Sequence, residues 1–258
     1  GDSEHTVMVN DLERSYLLHI PPGLNNQQPV PVILAFHGYS LRPIDLQTVA
    51  VFDDLADQSN TIVVYPEGVG LSWNIAETGP GDAINQDEDD SAFVKEILTD
   101  LETMITIDTK RIYAVGHSLG GSLVYQLACE MADTFAAIAS VAGPMEYSSC
   151  NPDQAVSGIL IHGLNDSMVP LSGGGDLNTS PVENGIDTWV NLNNCPAPKE
   201  EKDDESGINQ LTYEPCQDGT AVELYTSDTG IHPSYSFGRV GIPATDIIWD
   251  FFVAHPKP

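Results

Sequence analysis

The chain has 258 residues, with 38 Asp or Glu against 9 Lys or Arg, for a formal charge of −29. Phosphate backbones and anionic lipid are bound by Lys and Arg, so this balance excludes nucleic acid and an anionic membrane surface as partners. No apolar run approaches the roughly 18 residues that cross a bilayer, while apolar residues make up 41% of the chain and are spread too evenly for the charge to signal disorder.

The length fits one large domain with a substantial core. The acids then form a solvated shell, of the kind that keeps a protein soluble in high salt or that an ordinary acidic exported protein carries. The four cysteines are Cys129, Cys150, Cys195 and Cys216. None forms a CxxC pair, which speaks against zinc, and an even count permits two disulfides with three connectivities open. We expect a secreted protein.

Thr6 to Ile20 reads as two strands about a turn at Asn10-Asp11. Pro21 to Pro31 is a polar, proline-rich loop. Val32 to Phe36 is a continuous apolar run, suited to a strand buried on both faces, and it ends at His37-Gly38. A helix is expected over Ile44 to Ser59 and a buried strand over Thr61 to Tyr65, closed by Pro66-Glu67-Gly68; Val69 to Asn85 is loop. Asp89 to Ile105 has helical spacing, with Phe93, Ile97, Leu101 and Met104 on one side.

A strand follows at Arg111 to Val115, a helix at Leu119 to Met131, and strands at Phe135 to Val141 and Gly158 to Ile161. Next come a helix at Pro181 to Leu192, strands at Leu211 to Tyr213 and Ala221 to Tyr225, and a last helix from Ala244 to Val253. The charged run Lys199 to Glu205 reads as an exposed loop tip. Strands alternating with helices mean parallel strands joined by crossover helices. No repeat or linker divides the chain, so a single α/β domain over residues 1–258 is expected, monomeric and without a large lid.

Gly116-His117-Ser118-Leu119-Gly120 satisfies G-x-S-x-G. A bare match is weak, but here a strand ends at Val115 and a helix starts just after Ser118. That is the strand–turn–helix setting of a nucleophile elbow, whose serine projects above the sheet. A serine hydroxyl needs a base to take its proton, and the base needs a carboxylate to orient it. In this fold the order along the chain is serine, acid, histidine. Of the later histidines, His162 ends a buried strand and His255 lies in the tail. His232 sits in a loop after the last strand and is the expected base. Asp166 follows a buried strand and a glycine turn and is the expected acid, with Asp176 and Asp187 as alternatives.

The oxyanion hole needs two backbone N–H groups: Leu119, directly after the serine, and Tyr39, in the loop after Phe36. His37 is then a structural residue of that loop. Trp73 and Asn74 are expected to overhang the elbow as a wall of the substrate pocket. The run Asp87-Glu88-Asp89-Asp90 lacks the alternating spacing of a calcium loop and reads as negative charge at a helix N-terminus. Neither a metal nor a cofactor is expected.

These passages carry a family resemblance. Tyr16-Leu17-Leu18-His19-Ile20-Pro21, the His37-Gly38 loop, Tyr65-Pro66-Glu67-Gly68 with Trp73-Asn74, and Asp89-Asp90 with Phe93 resemble the α/β-hydrolase esterases grouped with polyhydroxybutyrate depolymerases and feruloyl esterases. So do the elbow, Phe135 to Ala139 leading to Ala142-Gly143, His162-Gly163 with Asp166 and Val169-Pro170, and Gly230 with His232. The match runs in order along nearly the whole chain. It departs after the histidine, where many relatives have Trp-Pro and this chain has Pro233-Ser234-Tyr235.

The resemblance implies a secreted serine esterase with Ser118, Asp166 and His232 as triad, acting on a feruloyl-type or short-acyl ester, or alternatively on a polyester such as polyhydroxybutyrate. A catalytically silent carbohydrate-binding protein on the same fold is the reading from another class. Two disulfides are expected, Cys129–Cys150 and Cys195–Cys216. The second flanks the charged run after Lys199, which lacks apolar residues to order itself.

Overall fold

Val30 to Phe36 is buried at all seven positions, and a strand that dry must lie inside a sheet covered on both faces. Its side chains divide with the period of two that a strand imposes. Val32, Leu34 and Phe36 join one apolar cluster, and Ile33 and Ala35 join another on the opposite face. The structure is a computed structural model that describes residues 1–75, 88–203, 205–232 and 242–258. The Pro233-Ser234-Tyr235 departure, Asp87 and the loop stretch 76–85 lie outside the described residues.

Among the described residues ten strands form one sheet: β1 (Asp2–Val9), β2 (Leu12–His19), β3 (Val30–Phe36), β4 (Ile62–Pro66), β5 (Ile107–His117), β6 (Ala137–Val141), β7 (Ser157–Gly163), β8 (Lys199–Asp203), β9 (Ile208–Tyr213) and β10 (Val222–Ser227). Their spatial order is β1-β2-β4-β3-β5-β6-β7-β10-β9-β8. The six from β4 to β10 run parallel, and antiparallel strands close both edges.

Helices α1 (Pro43–Ala50), α2 (Phe52–Ser59) and α6 (Ala244–Ala254) cover one face. Helices α3 (Asp90–Met104), α4 (Leu119–Glu130) and α5 (Val182–Leu192) cover the other. From β3 the chain crosses to β4 on one side and then to β5 on the other. The carboxyl ends of β3 and β5 therefore flank a crevice where the strand order reverses, the place where open α/β sheets bind ligands.

The single helix expected over Ile44 to Ser59 is two. Val51 stands in the left-handed region (φ 49°, ψ 28°) between α1 and α2. The cause lies in the apolar spacing. Leu46 and Ala50, then Phe52 and Ala56, all enter the same cluster, yet residues two apart on one helix point nearly opposite ways. Breaking the helix at Val51 lets both pairs face inward.

The charged run after Lys199 is a strand rather than a loop tip. β8 pairs antiparallel with β9 from Lys199↔Thr212 to Asp203↔Ile208, with all five side chains exposed. Neither face of β8 is covered, so its sequence shows no apolar alternation, and a charged edge resists pairing with other chains. Disulfides join Cys129 to Cys150 and Cys195 to Cys216, as a protein of an oxidising compartment carries.

Candidate active site

Ser118 stands between the end of β5 and the start of α4 at φ 52°, ψ −115°, a conformation costly for a residue with a side chain. Its neighbours make the turn possible by lacking side chains. A methyl group on Gly116 would come within 2.0 Å of the Gly120 carbonyl oxygen, and one on Gly120 within 2.2 Å of the Phe36 carbonyl oxygen. The Ser118 N–H donates to the Val141 carbonyl at 2.8 Å, tying the turn to β6.

Two loops bring partners to this hydroxyl. After β7, Asp166 turns back and its Oδ1 accepts the N–H groups of Met168 (3.0 Å) and Val169 (2.8 Å). After β10, His232 places Nδ1 2.7 Å from Asp166 Oδ2 and Nε2 3.1 Å from Ser118 Oγ. Burial opposes the Asp166 charge, but the hydrogen bonds from His232 and Val169 outweigh it and hold the carboxyl below its ordinary range. An anionic Asp166 fixes the Nδ1–H tautomer of His232, which leaves Nε2 free to take the serine proton.

His162 also lies beside Asp166, with Nε2 3.7 Å from Oδ2, the oxygen that faces His232. Burial lowers its pKa, so it stays neutral, and its Nε2–H donates to the Val169 carbonyl at 2.8 Å. The ring supports the loop that carries Asp166.

Tyr39 and Leu119 both line the crevice, and among the described residues no backbone hydrogen bond engages the N–H of either. The loop holding Tyr39 is fixed by His37. The His37 Nδ1–H donates to the Gly38 carbonyl at 2.8 Å, and Nε2 accepts the Gly68 N–H at 3.0 Å. Burial pushes the His37 pKa down to about 4, so the ring keeps this neutral tautomer at working pH.

Trp73 and Asn74 are not where the sequence suggests. Neither lines the cavity among the described residues. Trp73 is fully buried, its Nε1–H donates to the His37 carbonyl at 2.7 Å, and its ring packs on His37 and edge-on to Phe36. A buried indole N–H needs an acceptor, and here it takes the carbonyl that anchors the Tyr39 loop. The Asn74 N–H donates to Asp90 Oδ2 at 2.8 Å. Asp90 in turn holds Arg14 at 2.8 Å, and Asp89 caps α3 by accepting the Ala92 N–H.

The cavity over Ser118 measures about 300 Å³. Leu41, Ile75, Pro144, Met168 and Leu177 give it apolar walls. Leu177 had no signal of its own in the sequence. Gly173, Gly174 and Gly175 all have positive φ, and Gly174 bridges Thr179, so the chain doubles back and returns Leu177 to the cavity. The triple glycine was the only hint.

The Esterase family model matches residues 10–206. The chain belongs to the esterase family. Its members are carboxylic ester hydrolases, and the arrangement around Ser118 is suited to that reaction. The chain is 28% identical over 257 residues to a bifunctional acetylxylan esterase/xylanase of Neocallimastix patriciarum, covering 94% of this chain and 34% of that protein. It is 27% identical over 254 residues to feruloyl esterase C of Emericella nidulans, covering 95% and 86%. This esterase therefore spans about a third of the first relative and most of the second. Among solved structures, an acetyl xylan esterase from Aspergillus awamori matches with a TM-score of 0.68 at 16% identity, over 98% of this chain and 99% of that one. That likeness is one of fold: the α/β-hydrolase fold, with its mostly parallel sheet.

Proposed function

We propose that the protein is a secreted serine esterase that cleaves feruloyl-type or short-acyl esters of plant-wall sugars through an acyl-enzyme. The observation that carries this reading is the unbroken chain Asp166 Oδ2–His232–Ser118 Oγ, at 2.7 and 3.1 Å, opening on an apolar cavity. His232 takes the Ser118 proton as Oγ attacks the ester carbonyl carbon. The carbonyl oxygen becomes an oxyanion held by the Tyr39 and Leu119 N–H groups. The tetrahedral intermediate collapses, the bond to the alcohol oxygen breaks, and the His232 imidazolium protonates the departing alcohol. Water then attacks the acyl-enzyme with His232 as base, releasing the acid and restoring Ser118.

The cavity lies at the small end of the range for ligand pockets, about 300–1,000 Å³, which favours one acyl group over a polymer strand. The names of the relatives support aryl and acetyl esters, and two disulfides fit export. A side-by-side assay of methyl ferulate, p-nitrophenyl acetate and polyhydroxybutyrate film tests the reading. The two soluble esters should be hydrolysed and the film left intact. Erosion of the film at a rate that the soluble esters do not match would replace this reading with polyester depolymerisation.

A further inference from the structure

At the end of the sheet opposite Ser118, where the parallel strands begin, His19 closes β2 and pairs with Val63 near the start of β4. Its side chain is buried, and both ring nitrogens face carboxylates. Nδ1 lies 2.6 Å from Asp2 Oδ1 and 3.5 Å from Asp53 Oδ2, and Nε2 lies 3.0 Å from Asp57 Oδ1. A neutral imidazole has one N–H. If that hydrogen points to Asp57, the Nδ1 lone pair meets the lone pairs of Asp2 across 2.6 Å. A positive charge between them is required, and it is either a second proton or a metal ion.

We propose that Asp2, His19 and Asp53 form a binding site for a divalent transition-metal ion of the zinc type. Among the described residues, one ligand atom from each of the three lies within 4.8 Å of the others. Zinc binds imidazole nitrogen and carboxylate oxygen at about 2.0–2.2 Å, so tetrahedral ligand atoms stand about 3.4 Å apart. His19 Nδ1 and Asp53 Oδ2, at 3.5 Å, already have that spacing. Asp2 must retreat by less than an ångström, and its side chain is 59% exposed and able to do so.

The surroundings orient the ligands as they do in metal sites. With the ion on Nδ1, the remaining N–H of His19 is on Nε2, 3.0 Å from Asp57 Oδ1. Asp53 Oδ1 accepts from the Tyr65 hydroxyl at 2.7 Å, and Asp53 Oδ2 accepts from Gln47 Nε2 at 2.8 Å. A nitrogen ligand among carboxylates favours zinc or manganese over calcium, which takes oxygen alone.

The test is calorimetric titration of the chelator-treated full chain with zinc chloride in about 1 M NaCl, where a Debye length of about 3 Å suppresses loose attraction to the acidic surface. We expect one saturable zinc per chain, a Tm raised by zinc, and no matching response to calcium. Asp57→Asn, which keeps all three ligands, should weaken zinc about 10–100-fold. His19→Gln should abolish binding. Because that change removes a buried ring, Asp53→Asn serves as a second variant that keeps the side-chain shape, and the same loss is expected. No saturable zinc in the wild type, equal binding of calcium, or undiminished affinity in these variants would overturn the site and leave a proton between Nδ1 and Asp2.

Discussion

Around Ser118 an added atom has nowhere to go: a methyl group on Gly116 or Gly120 would overlap backbone carbonyl oxygens at 2.0 and 2.2 Å. On β8, at one edge of the same sheet, all five side chains from Lys199 to Asp203 stand in solvent. The elbow is held by close backbone packing and by buried rings with assigned hydrogen bonds. The hairpin of β8 and β9 is held by backbone pairing and by the Cys195–Cys216 bridge at its base. The contrast shows where identity matters. At the elbow each residue type follows from a contact, whereas on β8 charge is all that is asked of the side chain.

Substitutions at the two places should therefore differ by orders of magnitude. Asp166→Asn keeps an oxygen to accept the Val169 N–H but no longer enforces the His232 tautomer. We expect kcat to fall about 10⁴-fold with an unchanged circular dichroism spectrum. A loss below tenfold would break the comparison at its strongest point.

Acid should act on the site end next. His37 is held neutral from the ordinary 6.5 down to about 4, so between those values the unfolded chain binds a proton that the folded chain refuses. Stability is therefore complete above the ordinary imidazole value. It falls by up to about 1.4 kcal/mol per pH unit across that window, roughly 3 kcal/mol in all. Asp166, whose folded pKa is depressed, adds a loss below the ordinary carboxylate range. Denaturant titrations at pH 7, 5.5 and 4.5 measure the slope; the buried His162, whose pKa is also lowered, adds to it, so His37→Gln should lessen the slope by the His37 share.

Trp73→Phe removes the indole N–H from the His37 carbonyl while keeping a ring in the core. We expect kcat to fall about tenfold with KM little changed, well short of the 10²–10³ that removing an oxyanion donor costs. A rise in KM alone would return Trp73 to the pocket wall. On β8, Glu201→Gln should shift stability by no more than about 0.5 kcal/mol and leave turnover unaltered.

Much of the site end was legible because its chemistry demands particular residue types in particular places. Ser118 sits where a strand meets a helix, Asp166 follows a buried strand and a glycine turn, and His232 follows the last strand; the structure brings the three within hydrogen-bonding reach. The role of Trp73 was not legible, since a tryptophan after a strand reads alike whether it lines a pocket or braces a loop. Only its distance to the His37 carbonyl separates the two. The break at Val51 was present in the sequence as Ala50 and Phe52, two apolar residues that one helix cannot turn the same way. β8 left no trace, because a strand uncovered on both faces imposes no period on its side chains.

The central claim is that Ser118 is the nucleophile and forms the acyl-enzyme. Mass spectrometry of the protein treated with a fluorophosphonate, alongside ester hydrolysis by Ser118→Ala, tests it most directly. We predict a single adduct on the peptide containing Ser118, no adduct in the variant, and loss of turnover in the variant to the background rate. An adduct on another residue, or hydrolysis by Ser118→Ala at the wild-type rate, would contradict the account.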